Sequence, residues 1–456
     1  ALNVAGTTKI LATGQNVTLN DTGSNLQGPL KIKGAIVSVT HPYAIELGDS
    51  TITGTYDVRT TTGNITDSLS HGTLDVAGNA TFTTDASDAD IRLDSTTNGF
   101  GGTVTVNTAG TAGLDDAEIH GGSEPLQIIA SGGVGTLKLT TTGATAPITD
   151  AGALVVSGTT TIDAGSSYVD LDHQSSGLGG AVGASGSNVS LDHPTGIDLG
   201  NSTVGGTYDV KARTGNITGT GALDIEGLTT LITSADGADI TLNGTGNAFT
   251  GNVKITTNET NSDKDAHATI NGGSNIGLKV ERGSEIQGNL TLISGHANTI
   301  TDEGASGVVT VDGNLTATTN ANNGSITLND LAVDGTIGLN THGTGDATVV
   351  NDAGFQFAAS SVGGDLHATS TTGNMTQSGA LDIEGTTTLI TVANNASITL
   401  GTASNAFTGA LIITTNDNDA APNDTNGDVT ISAGSGAALD FGNSTIDGDL
   451  IATSSN

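Results

Sequence analysis

The stretch Gly221-Ala222-Leu223-Asp224-Ile225-Glu226-Gly227-Leu228-Thr229-Thr230-Leu231 decides the fold. Leu223 and Ile225 point to one side while Asp224 and Glu226 point to the other, which is the period-2 pattern of a half-buried strand. Gly227 ends the string and a Thr-rich string begins. The same alternation recurs along the chain in short runs of Thr, Val, Ile and Leu. Gly, Asn, Asp and Ser break these runs at intervals too short for an amphipathic helix. The pattern predicts an all-β protein with no significant helix.

The stretch is also a repeat. Thr62-Gly63-Asn64-Ile65-Thr66 returns as Thr214-Gly215-Asn216-Ile217-Thr218 and as Thr372-Gly373-Asn374-Met375-Thr376. Each copy leads to the same continuation: Leu74-Asp75-Val76, Leu223-Asp224-Ile225 or Leu381-Asp382-Ile383, and later Phe100, Phe249 or Phe407. A shorter period lies inside the long one, because the phrase recurs at Val76, Val156, Ile225, Val311 and Ile383. A repeat sets the architecture, so it outranks local propensity.

Short strands separated by turns can make a sandwich, a propeller or a solenoid. Sandwiches and propellers need large core side chains, and this chain has no Trp, no Cys, one Met and 2% aromatic residues. A right-handed parallel β-helix needs only one or two medium apolar side chains per strand, stacked on the coil below. We therefore expect a single continuous β-solenoid over residues 1–456, with about three coils per 70–86-residue repeat, excised from a longer chain. At about 4.8 Å of rise per coil, about 20 coils would span about 90 to 100 Å.

Phrases such as Ser202-Thr203-Val204-Gly205-Gly206 and Asn405-Ala406-Phe407-Thr408-Gly409, with the stretch quoted first, resemble the filamentous-haemagglutinin-like and giant β-strand-repeat surface proteins of bacteria. That resemblance spans nearly the whole chain. It implies export, β-helical shafts and roles in adhesion, biofilm or surface filaments, with no catalytic residues and no required cofactor. The expected location is extracellular, at a bacterial cell surface. Expected partners are other copies or neighbouring repeats, meeting end to end or side by side, and surface glycans or host receptors.

Charge narrows the classes. With 47 acidic and 12 basic side chains the net charge is −35, which repels nucleic acid and anionic membranes. No apolar run approaches the length of a membrane span, so no membrane insertion is expected.

Acidic insertions follow the recurring Phe in each long copy: Leu114-Asp115-Asp116, then Asn261 to Asp265, then Asn416 to Asp428. They are expected to protrude from one face. Asp263, Asp265, Asp417, Asp419, Asp424 and Asp428 are the candidate ligands for Ca2+, a hard cation that takes several oxygens. No EF-hand spacing occurs, and solvated loops are the alternative. Outward carboxylates stacked on successive coils would repel, so stability is expected to rise with ionic strength.

His41-Pro42 matches His193-Pro194, with Asn351 at that place in the third copy, which points to a shared loop conformation rather than catalysis. Gly-Asn pairs such as Gly215-Asn216 are expected in left-handed turns or stacked at a corner. Three further readings remain. In the first, the chain is itself the self-assembling polymer subunit of an extracellular fibre. A β-helix polysaccharide-degrading enzyme would gather carboxylates and bases at one unrepeated place. Thr strings such as Thr159-Thr160-Thr161 would suit a flat ice-binding array only if coil lengths were strict. Sequons such as Asn216-Ile217-Thr218 coincide with the repeat's own wording.

Overall fold

The computed structural model describes residues 1–68, 72–109, 115–260, 265–295, 299–416, 427–434 and 438–454. Among these the protein is all-β with no helix, and its strands are stacked in parallel as a β-solenoid of about 19 turns. Contacts divide it into two compact units: Ala1–Arg213 with Thr218–Gly221, and Thr214–Ile217 with Ala222–Asn456.

Within each unit a coil contributes strands to two parallel sheets. In the first unit, Leu30–Gly34 lies in the first sheet and Val37–His41 in the second; only Ala35 and Ile36 separate them. Alternation does the sorting. Leu30 and Ile32 are buried, as are Val37 and Val39, while the residues between them face outward. Each inward residue rests on its counterpart one coil away: Ala80 pairs with Tyr56 on one side and Val104 on the other. The few aromatics stack in the same way, with Tyr56, Phe82 and Phe100 edge to face at 6.0 and 6.3 Å. Burying such side chains contributes roughly 25 cal/mol per Å2 of apolar surface removed from water, and parallel pairing satisfies the backbone.

The rungs refine the expected count of about three coils per short repeat. In the second unit, the rungs run from Ile217 to Ile240, Ala268, Leu290, Leu315, Ile337, Phe357 and, through Phe355, Met375. The long repeat is thus seven coils, and the short one about three and a half. Ile225 and Ile383 accordingly pair with Phe249 and Phe407 in the first sheet, whereas Val311 pairs with Ile286 and Val333 in the second. Val76 and Val156 of the first unit show the same swap of sheets. The swap is tolerated because both sheets ask the same of an inward residue. Coil length also varies, from the 17-residue step between Leu30 and Leu47 to the 31-residue step between Ile398 and Val429.

Of the two forms expected for the Gly-Asn pairs, the turns take the stacked corner and not the left-handed one. Gly63 and Asn64 are absent from the left-handed region. Gly63 is needed because a Cβ there would lie 2.5 Å from the Ala44 nitrogen one coil below. Left-handed residues instead occur at Asp88, Gly237, Asn323 and Asn395, with φ between 63° and 66°. Each precedes a carbonyl residue bonded by a buried strand-end Thr, as Thr84 Oγ1 donates to the Ala89 carbonyl and Thr319 Oγ1 to the Gly324 carbonyl.

Candidate functional site

The recurrent polar side chains of this chain gather at the corners, where a coil passes from one sheet to the other. A strand's first N–H points along the stack and needs an acceptor from the neighbouring coil. Asn64, the residue before a first-sheet strand, supplies one: Asp90 N–H donates to Asn64 Oδ1 at 3.0 Å. Asp90 Oδ1 accepts from Asp116 N–H, and Asp116 Oδ1 from Thr136 N–H. The second unit builds the longer series Asn216, Asp239, His267, Asn289 and Asn314, ending at Thr336 N–H. These side chains are exposed or half-buried and form a polar stair along one corner.

A second set is buried. Leu26 N–H donates to His41 Nε2 at 3.0 Å, Leu178 N–H to His193 Nε2 at 3.2 Å, and Val333 N–H to Asn351 Oδ1 at 2.8 Å. His41 Nδ1 meets the Tyr43 carbonyl at 2.9 Å, so that nitrogen carries the proton and the ring is neutral. Burial pushes the His193 imidazole pKa down from its ordinary value. Asn351 Nδ2 donates to the carbonyls of Val333 and Gly354. The histidines are therefore backbone acceptors in the core.

The buried set has further members. Ser50, Ser202 and Ser360 accept from the N–H of Ile32, Ala184 and Leu339, and donate to the carbonyls of Gly48, Gly200 and Ala358. Asn98, Asn247 and Asn405 accept from the N–H of Leu74, Leu223 and Leu381. A third group was not singled out from sequence. Asp67 accepts from the N–H of Asp94 and Ser95, Asp150 from Asp172 and His173, and Asp302 from Asn329 and Asp330. Each ends an Ile-Thr-Asp triplet, a signal present at Ile65, Ile148 and Ile300. Burial pushes the carboxyls of Asp67 and Asp150 up, against their hydrogen-bond donors.

The calcium candidates divide. Asp263, Asp417, Asp419 and Asp424 lie outside the described residues. Asp265 is exposed ahead of Ala268–Asn271, and its N–H donates to Glu259 Oε2. Asp428 precedes Val429–Ala433 in another coil, where its Oδ1 accepts from Asp449 N–H at 2.8 Å and so belongs to the corner stair. Among the described residues no three His, Asp or Glu side chains are grouped to hold a metal ion. The insertions do follow the strands Thr103–Asn107, Val253–Asn258 and Leu411–Asn416, as read from sequence. Asp115 does not protrude: it is fully buried, and its Oδ1 accepts from Asp88 N–H.

A family model described as repeats of unknown function (DUF5649) matches residues 1–33, 34–107, 117–185, 186–256 and 344–414, well over half of the chain. No curated protein and no solved structure matches it.

Proposed function

We propose that this chain, which belongs to the family of repeats of unknown function (DUF5649), is a structural element of a bacterial surface protein, the shaft of an adhesin or of a cell-surface or matrix filament. The observation that carries this reading is the use made of the repeated polar side chains. His41, Ser50, Asn64 and Asp67 each hold the backbone of a neighbouring coil, and His193, Ser202, Asn216 and Asp302 do the same. A chain that commits its repeated polar groups to holding its own coils is built to bear load and keep spacing. The net charge of −35 favours solubility in a crowded, salty exterior.

Gold-labelled antibody against this chain, applied to intact cells of the source organism, tests the location. Dense labelling outside the cell envelope is the expected result. Label found only after permeabilisation overturns the reading.

A further inference from the structure

Two rungs break the charge pattern of the strand registers. Other outward acids face small or hydroxyl residues, as Asp57 faces Ser38 and Thr81 and Asp382 faces Ser361 and Ala406, or a base, as Glu118 faces Arg92 and Lys138. In the first unit, Lys9 stands in register with Lys31, and Lys33 follows two residues on. In the second unit, Glu281 stands in register with Glu303. Neighbouring strands are about 4.8 Å apart, and like charges directly opposite at that distance repel.

Neither rung is fully neutralised from within. Lys31 Nζ reaches Asp49 at 3.0 Å, but Lys9 and Lys33 are exposed and form no salt bridge among the described residues. The three lysines border an open groove of about 490 Å3, together with Asp49, Asp75, Thr51 and Thr73. Leu11, in register with Lys33, is 69% exposed beside them. Glu281 accepts from Asn252 Nδ2 and Glu303 from the Thr301 hydroxyl, and neither acid meets a cation among the described salt bridges.

We infer that the lysine rung of one copy receives the glutamate rung of a second copy. The two rows have the same strand spacing and opposite sign, so docking turns two internal repulsions into cross-chain ion pairs. The contact joins two different patches of the chain, one from each unit. The inference rests on the structural-element reading and names its partner: the chain itself. The remaining negative charge opposes approach at long range. Association should therefore be strongest near physiological ionic strength, where the Debye length is about 8 Å, and weaker in strong salt, which screens the pairs themselves.

Sedimentation velocity of the full chain at about 0.15 M salt tests this, with Lys9→Glu/Lys31→Glu, Glu281→Lys/Glu303→Lys and the four changes combined. Unchanged circular dichroism and melting curves show that each variant folds. The wild type should associate with rising concentration, each double reversal should weaken association on the order of tenfold or more, and the combined variant should recover it. Association unaltered by either reversal, or not recovered by the combination, overturns the inference. So does a wild type that stays monomeric yet is retained on an immobilised sulfated polysaccharide through Lys9 and Lys31, since the groove then serves a polyanion. A monomeric chain that still labels the cell exterior leaves the shaft reading standing while this inference fails.

Discussion

The two corners solve the same problem in different surroundings. At the stair that begins at Asn64 and Asn216, side chains accepting the next coil's N–H are exposed or half-buried; at the corners of His41, His193 and Asn351 they are at most 3% exposed. Residue choice follows from that difference. The stair uses Asn, Asp and His in no fixed order, because water can replace a missing acceptor. The buried corner must supply an acceptor that fits and stays uncharged. The third copy exchanges His for Asn at Asn351 without losing the bond, so the position requires an acceptor and not a titrating group.

Removing the buried acceptor altogether should have the largest effect. Asn351→Leu leaves the Val333 N–H and the Gly354 carbonyl unpaired in the core, and chemical denaturation should report a loss of about 3 kcal/mol. Ser202→Ala removes one acceptor and one donor in a smaller space. It should cost about 1 to 2 kcal/mol in the same assay.

His193→Asn sharpens the comparison through pH. The folded pKa of His193 is depressed, so the unfolded state takes up its proton first as pH falls below about 6.5, and wild-type stability drops from there downward. The variant keeps an acceptor and cannot charge at this position. Melting curves should place it close to wild type at pH 8 and above wild type at pH 5; equal pH profiles would show that the folded imidazole takes up its proton as readily as the unfolded one.

The exposed stair gives the smallest change. Asn216→Ala should cost about 0.5 to 1 kcal/mol, because solvent reaches the Asp239 N–H. A loss as large as that of Asn351→Leu would erase the distinction between the corners.

The architecture was legible in Leu223 to Leu231, because period-2 alternation and a sparse set of large side chains leave few folds that bury the apolar half. The half-coil offset was not legible. Val76 and Val156 carry the same phrase, and nothing in the phrase tells one sheet from the other when both bury Val equally well. The stacking of like charges was overestimated for a related reason: composition counts acids but does not place them, and the registers put Ser, Thr or Ala opposite Asp57 and Asp382. Salt should accordingly raise stability less than the net charge alone implies, with Glu281 and Glu303 the rung most relieved. His41 and His193 were recognised as a shared structural feature, but their bonds to Leu26 and Leu178 follow from the sheet-to-sheet offset within a coil, which needs coordinates. Asp67, Asp150 and Asp302 carried a readable signal in Ile-Thr-Asp, hidden because the later copies end in Gly219 and Gln377.

Native-state amide hydrogen exchange tests the central claim most directly, since that claim is that buried corner side chains stand in for missing backbone partners. The N–H groups of Leu26, Leu178 and Val333 should be protected as strongly as those of strand interiors such as Val58 and Val349. Exchange at those three sites as fast as in exposed turns would mean that the corner residues do not hold the coils together.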